Sequence, residues 1–199
     1  FDQVVEKALP GAPHDEALQY AFDAPVRAGM PPIHVAASEG KLLELMLRMV
    51  GAKRVVELGT LAGYSSLRLA RALPDDGKVW TVEFDEQHAA VAKDVIAKAG
   101  LTKKIEVCLG RGVDVLPTLE AHGPFCAVFI DADKESYDVY GRWAAKHVRR
   151  GGLLLGDNSF LFTNLLDDTP RAAVMRRFHE EARAHFDTVN VPTPDGLLV

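Results

Sequence analysis

The feature that most constrains this chain is a regular alternation, from residue 54 onward, of short apolar runs with longer amphipathic segments. The apolar runs predict strands over 54–58, 79–84, 105–109, 125–130, 153–156, 188–191 and 197–199. The segments between them predict helices over 65–73, 86–99, 113–121, 137–148 and 171–186. Strand–helix alternation builds parallel βαβ units, and continuously apolar strands are buried on both faces. The sequence therefore predicts an α/β, Rossmann-like doubly wound, mostly parallel sheet with helices on both faces.

The first 50 residues do not show this alternation. Residues 1–29 look helical but are interrupted by several Pro and Gly residues, which predicts a lid or cap of short helices. A further helix is expected to open at Ser38-Glu39-Gly40. With 199 residues the chain suits one domain. We therefore predict a single domain, with a helical cap over 1–50 and a Rossmann-like core over 51–199.

The charge balance argues against several classes of partner. The net charge is −5 and the pI about 5.8, without a basic stripe, so neither nucleic acid nor an anionic membrane is an expected partner. No apolar run approaches the roughly 18 residues of a membrane span, and the first residues lack signal-peptide features. A cytoplasmic location is therefore expected, where Cys108 and Cys126 would remain free thiols.

A glycine-containing turn follows the first predicted strand, in the segment Glu57–Ser65. Gly59 and Gly63 allow a tight turn and close approach to a ligand. Their G-x-x-x-G spacing differs from the G-x-G-x-x-G of dinucleotide sites, which cradle a pyrophosphate. This spacing instead suits a ligand without a phosphate, such as S-adenosylmethionine. Glu57 could help to hold the ammonium group of that ligand. The alternative is a purely structural turn.

Two further positions extend a possible nucleoside site. Glu83 ends the second predicted strand, 20 residues after Gly63, where an acid can accept hydrogen bonds from both ribose hydroxyls. Gly112, after the third strand, would leave backbone N–H groups facing an adenine ring. A lone Glu after a strand is otherwise usually a solvated side chain, so this alternative stays open.

Hard oxygen donors follow the fourth and fifth predicted strands. Asp131 follows one strand, and Asp157-Asn158 follow the other. If these strands are neighbours, the three side chains converge at one edge of the sheet. With water and substrate oxygens they could complete a six-coordinate Mg²⁺ site or a looser Ca²⁺ site. The alternative is a pair of ordinary loop acids and a turn.

Together these segments resemble the caffeoyl-CoA and catechol O-methyltransferase family from about residue 30 to the end. The resemblance is carried by Glu57–Ser65, by Leu73-Pro74-Asp75-Asp76-Gly77-Lys78, by Ile130–Lys134 with Tyr137 and Tyr140, by Gly151–Asn158 and by Pro194–Leu197. It implies a seven-stranded sheet with an antiparallel last strand, a homodimer, and transfer of a methyl group from S-adenosylmethionine to a metal-chelating vicinal diphenol. The resemblance does not decide which divalent metal is bound. We expect Mg²⁺, with Ca²⁺ and Mn²⁺ as alternatives.

The resemblance also implies roles for single residues. Metal ligands would be Asp131, Asp157 and Asn158. Lys134 occupies the position of the general base in the catechol enzymes, and Tyr140 occupies a substrate-side position. Contacts to S-adenosylmethionine would fall at Val35, Glu57, Gly59, Thr60, Gly63, Ser65, Glu83, Gly112 and Asp131.

Two departures from the family pattern affect these expectations. Val35 stands where the family often has Thr or Ser, which leaves only a backbone contact. Ser159–Thr163 replaces the Trp-containing loop of the plant enzymes, which argues against caffeoyl-CoA itself as the acceptor. Two rival functions remain, an NAD-dependent oxidoreductase and a non-catalytic S-adenosylmethionine-binding module. The first lacks its glycine motif, and the second would not need the base and the metal ligands.

Overall fold

The structure, a computed structural model, describes residues 13–199. Its helices are α1 (Glu16–Arg27), α2 (Ala37–Met49), α3 (Tyr64–Ala72), α4 (Glu86–Lys98), α5 (Gly112–Leu119), α6 (Tyr137–His147) and α7 (Pro170–His185). Its strands are β1 (Arg54–Leu58), β2 (Lys78–Glu83), β3 (Ile105–Leu109), β4 (Phe125–Ile130), β5 (Val148–Asp157), β6 (Asn190–Val191) and β7 (Leu197–Leu198). Single 3₁₀ turns follow α5 and precede α6, at Glu120–His122 and Lys134–Ser136.

All seven strands form one sheet in the order β3-β2-β1-β4-β5-β7-β6. The first five strands are parallel, and β7 runs antiparallel to both of its neighbours. Apolar side chains of α1–α4 pack on one face of the sheet, and those of α5–α7 pack on the other. The predicted doubly wound sheet with an antiparallel last strand is therefore confirmed.

The order reverses between β1 and β4, because the chain runs outward through β2 and β3 and then returns to the other side of β1. In open α/β sheets, ligands bind outside the carboxyl ends of the strands at such a switch point. The ends of β1, β2, β4 and β5 lie along this part of the edge. These ends carry most of the residues predicted to form the site.

The predicted boundaries of β5 and of the preceding helix were wrong. The helix ends at His147, and β5 begins at Val148 rather than at Leu153. The segment 149–152 carries few apolar side chains, so hydropathy does not predict a strand there. The structure nevertheless pairs Val148 with Phe125 through the backbone. A register irregularity between Phe125 and Ala127 accommodates the extra length.

The N-terminal prediction is tested only in part, because residues 1–12 lie outside the described chain. Residues 13–29 contain one 12-residue helix, α1, which packs against α3 and α4. The next helix starts at Ala37, one residue before the predicted Ser38, and has no side-chain cap. The division into a cap and a core stays a prediction. None of the described helices has the length and apolar character needed to cross a membrane.

Candidate active site

Gly59, directly after β1, is required by the closeness of the neighbouring chain. Its φ is +94°, a left-handed conformation that L side chains rarely adopt. A Cβ atom at this position would lie 1.9 Å from the carbonyl oxygen of Asp131, which follows β4. The Asp131 N–H in turn donates to the Leu58 carbonyl over 2.8 Å. The predicted turn and the predicted metal ligand are therefore in backbone contact.

Gly63 requires glycine for a different reason. It is the N-cap of α3 with φ +86°, but a Cβ there would meet Ala92 at an ordinary 3.6 Å. Its N–H donates to the Thr60 carbonyl over 2.8 Å and closes the turn. Only the backbone conformation, and not the available space, therefore selects glycine at this position.

The carboxylate of Glu83 holds this turn in place from β2. Its Oε2 accepts the N–H groups of Thr60 at 3.2 Å and Leu61 at 2.8 Å, and its Oε1 accepts that of Asp85 at 3.1 Å. The side chain is buried, and its Oε1 retains a lone pair for a further donor, whereas both lone pairs of Oε2 are used by the turn. Glu83 can therefore position the turn and still accept a hydrogen bond from a ligand at Oε1.

Glu57 lies under the turn in a fully buried position at the end of β1. Its Oε2 accepts a short hydrogen bond from the Ser66 hydroxyl, whereas its Oε1 has no hydrogen-bond partner among residues 13–199. Burial raises its pKa from an ordinary 4.5 to about 7, against the opposing effect of hydrogen bonds from neighbouring hydroxyls. A buried carboxyl oxygen without a donor is a place where a ligand cation could be stabilised.

The raised pKa of Glu57 predicts a specific pH dependence of stability. The folded state holds the proton of Glu57 more tightly than the unfolded state does. The stability that this bound proton contributes is therefore lost as the pH rises from 4.5 through about 7. Glu57→Gln removes this loss. We expect the variant to gain about 2–3 kcal/mol of unfolding free energy relative to wild type between pH 5 and pH 8.

Urea denaturation without ligand, at several pH values, measures this difference. Glu106→Gln, which changes a more exposed acid on β3, serves as the matched control and should show no such trend. A difference between Glu57→Gln and wild type that does not vary with pH would contradict the assignment.

Asp131 and Asp157 are brought together as predicted, since β4 and β5 are neighbours with Ile130 paired to Gly156. Burial raises the pKa of the Asp131 carboxyl, and the Lys134 ammonium opposes this effect. The pKa of Asp157 is raised well above its ordinary value, first by burial and then by the charges of Asp131 and Glu39. A buried and a partly buried carboxyl group that disfavour each other's ionised form need a cation or protons nearby.

Lys134 and Tyr137 connect the ends of these two strands. The buried Lys134 Nζ donates to the Tyr137 hydroxyl over 2.6 Å and lies 3.3 Å from Asp131 Oδ1. The Tyr137 hydroxyl is within hydrogen-bond distance of two backbone carbonyls, that of Ile130 at 3.1 Å and that of Asp157 at 3.0 Å. The ammonium is therefore held beside the carboxylate pair rather than in solvent.

Gly112 and Tyr140 meet at the adjoining part of the edge. A Cβ on Gly112 would lie 2.6 Å from the Tyr140 hydroxyl, so only glycine fits beneath this ring. Tyr140 is buried, and its hydroxyl donates to Asp133 Oδ1 over 2.6 Å. The ring thus lies against a residue predicted to contact the adenine. The substrate-side role of Tyr140 stays a prediction.

Of the remaining predicted site residues, two lie in the turn between β1 and α3 or at the start of α3, and two lie elsewhere in the chain. Thr60 and Ser65 are buried, and the Thr60 hydroxyl is 2.6 Å from that of Thr81. Val35 is buried, and its carbonyl lies 3.2 Å from the His34 ring nitrogen. Asn158 follows β5 with φ +54°.

Two acids near the carboxylate pair were missed by the sequence reasoning. Glu39, in the first turn of α2, acts electrostatically on Asp157, and Asp195, in the last turn of the chain, acts on Asp131. The Asp195 carbonyl accepts the Phe160 N–H over 3.0 Å, which fixes this turn against the loop after β5. Even so, within the described part of the chain no three His, Cys, Asp or Glu side chains form a metal-binding group. The predicted ligand set contains only two carboxylates and an amide.

Comparisons with known proteins agree with this architecture. A sequence profile of the O-methyltransferase family matches residues 12–198. A catechol O-methyltransferase from Niastella koreensis is 44% identical over 170 residues, which cover 83% of this chain and 77% of the relative. A catechol O-methyltransferase from Mycobacterium tuberculosis is 40% identical over 178 residues, which cover 88% of this chain and 80% of the relative.

A solved structure extends the similarity to the whole fold. The O-methyltransferase from Bacillus cereus, crystallised with S-adenosylhomocysteine (SAH), superposes with a TM-score of 0.90 at 34% identity. The match covers 99% of this chain and 94% of that protein. The resemblance inferred from the glycine turn and the strand-end acids is thereby confirmed, and the chain belongs to the O-methyltransferase family.

Proposed function

We propose that this protein transfers the methyl group of S-adenosylmethionine to one hydroxyl of a catechol-like small molecule, with a divalent cation at the acceptor site. The observation that carries the proposal is the junction of the glycine turn with the strand-end acids, where a Cβ on Gly59 would strike the Asp131 carbonyl. A methyl donor on the turn and an acceptor at the acids would thus be neighbours. The names of the similar proteins support the catechol class.

The turn between β1 and α3 suits the donor. Glu83 Oε1 would accept a ribose hydroxyl while Oε2 continues to hold the N–H groups of Thr60 and Leu61. The unpartnered Oε1 of Glu57 would balance the ammonium group of the methionine end. S-adenosylmethionine supplies the methyl group and leaves as S-adenosylhomocysteine. These side chains contribute by fixing the donor in one orientation.

The carboxylate pair suits a divalent cation. The Oδ1 atom of Asp157 is buried without a hydrogen-bond partner in the described structure, and the Asp131 carboxylate lies close by. Together with the Asn158 amide, these hard oxygen donors would hold Mg²⁺, with Ca²⁺ and Mn²⁺ as alternatives. When bound, the cation would favour the ionised form of a phenol near neutral pH.

Lys134 would take the proton of the acceptor. Its ammonium group is buried and directed by the Tyr137 hydroxyl, 3.3 Å from Asp131. In its neutral form the amine would accept the phenolic proton, and the phenolate would then attack the methyl group in line with the departing sulfur. The chain would thus position both reactants and hold the proton at Lys134 Nζ.

Incubation with labelled S-adenosylmethionine, MgCl₂ and a panel of catechols tests the function. We expect label in a monomethylated product with at least one vicinal diphenol, and none with the matching monophenols. Absence of turnover on every diphenol would leave a non-catalytic binding module as the better description.

A lysine substitution tests the proposed base. Lys134→Ala is expected to lower kcat by about a hundredfold or more while the Kd for S-adenosylmethionine changes less than about threefold, because the amine acts on the acceptor. Steady-state kinetics and calorimetry measure the two quantities. Lys104→Ala, which changes a partly buried lysine bonded to the Leu73 carbonyl, is the control. A large loss of donor affinity in Lys134→Ala would indicate a binding role instead.

A further inference from the structure

A cavity lies outside the candidate active site, between the start of α1 and the helices α2 and α3. Its volume is about 500 Å³, within the range of pockets that bind small molecules. Its lining consists mainly of charged and polar side chains, among them Asp15, Lys41, Glu44, Arg48, Arg68 and Arg71. It shares no residue with the site proposed for the donor and the acceptor.

The lining carries an excess of positive charge. Lys41, Arg48 and Arg68 all face one buried carboxylate, that of Glu44, at 2.8, 2.7 and 3.2 Å. Burial lowers the pKa of His14, so this ring adds no charge at neutral pH. One carboxylate therefore balances only one of the three cations on this side of the cavity.

The other side of the cavity is neutral overall. Arg71 and Asp15 form a two-pronged ion pair, with nitrogen–oxygen distances of 2.8 and 3.0 Å. Asp15 also caps α1, because its Oδ1 accepts the Leu18 N–H over 2.9 Å. Among residues 13–199, four basic side chains thus face two carboxylates in the lining, which leaves two positive charges uncompensated.

Arg68 lines the cavity with a buried guanidinium group whose donors are not all used by the described residues. Its side chain is only 3% exposed, and its Nη2 atom has no hydrogen-bond partner within residues 13–199. The other nitrogens bond to Glu44 and to the Tyr64 hydroxyl. A buried guanidinium with an unused donor is costly unless a further acceptor is supplied.

We propose that this cavity binds a small molecule that bears a phosphate group. A phosphate dianion matches the uncompensated charge of the lining. Guanidinium groups present paired N–H donors that suit phosphate oxygens, and three of the four basic side chains are arginines. The proposal is independent of the methyl-transfer reaction, because the lining residues take no part in it.

Calorimetric titration of the full chain with pyrophosphate, and in parallel with inorganic phosphate and succinate, tests this site. EDTA in the buffer prevents metal–phosphate complexes. We expect saturable one-to-one binding of pyrophosphate, weaker binding of phosphate, and no binding of succinate at the same concentrations. Binding of succinate as tight as that of pyrophosphate would overturn the assignment to phosphate.

Two matched substitutions locate the binding. Arg48→Gln should weaken pyrophosphate binding about tenfold by removal of a charge-assisted donor. Arg142→Gln is the control, because Arg142 is 43% exposed against 52% for Arg48 and also pairs with an acid one turn earlier. Equal affinity in both variants would place the anion elsewhere and overturn the proposal.

A third variant is expected to act in the opposite direction. Asp15→Asn keeps a side chain that caps α1 well, but it releases Arg71 from its ion pair. Pyrophosphate should then bind about threefold more tightly. Unchanged or weaker binding in Asp15→Asn would contradict the charge argument. We expect Arg48→Gln to transfer methyl groups at the wild-type rate. Such a result would show that anion binding at this cavity and methyl transfer at the candidate active site are independent of each other.

Discussion

Asp157→Asn is expected to reduce methyl transfer about a thousandfold or more while the protein remains at least as stable as wild type. The substitution keeps the shape of the side chain but removes one of the two carboxylates proposed to hold the cation. It also removes a carboxylate whose pKa is raised in the folded protein, first by burial and then by the charge of Asp131. Activity and stability should therefore change in different directions.

Initial rates with saturating S-adenosylmethionine and MgCl₂, together with thermal unfolding in EDTA, measure the two effects. Asp168→Asn is the matched control, because Asp168 is an exposed acid in the loop that follows β5. EDTA should abolish the wild-type activity, and excess MgCl₂ should restore it. Full activity in EDTA, or an active Asp157→Asn variant, would contradict the proposal that a divalent cation takes part in the reaction.

Gly59→Ala is expected to destabilise the fold by about 4 kcal/mol. The new methyl group would lie 1.9 Å from the carbonyl oxygen of Asp131, and the residue would keep an unfavourable φ of +94°. The contact atom belongs to the backbone, so no side-chain rotation can relieve it. Strands β1 and β4 would have to separate at the switch point.

Gly63→Ala separates the two contributions to that cost. It has a similar φ of +86°, but its new methyl group would meet Ala92 at a comfortable 3.6 Å. We expect a loss of only about 1–2 kcal/mol, from the backbone conformation alone. Urea denaturation of both variants gives the comparison. Equal losses would show that the contact with Asp131 is not the main cost at Gly59.

Much of the fold and the outline of the site could be predicted from the sequence. Continuous apolar strands determine which segments are buried, and parallel strands bring their carboxyl ends to one edge. Asp131 and Asp157 could therefore be placed together before any coordinates. The family spacing added Lys134, which lies beside Asp131 in the structure.

Other features depend on contacts that no local pattern encodes. Glu39 and Asp195 lie in helix α2 and in the last turn, far in sequence from Asp131 and Asp157, and only the packing of these segments brings their charges near. The early start of β5 at Val148 depends on backbone pairing with Phe125, to which side-chain hydropathy is insensitive. Sequence patterns report burial and periodicity well, but not the partners of single polar groups.

The way Glu83 is bonded has a kinetic consequence. Its carboxylate holds the backbone of Thr60 and Leu61, so the turn proposed to bind the nucleoside is fixed by hydrogen bonds of the chain itself. Little chain entropy would then remain to be lost when the donor enters. Association of S-adenosylmethionine should accordingly follow a single exponential, with an observed rate that rises linearly with donor concentration and shows no plateau from a slow loop closure.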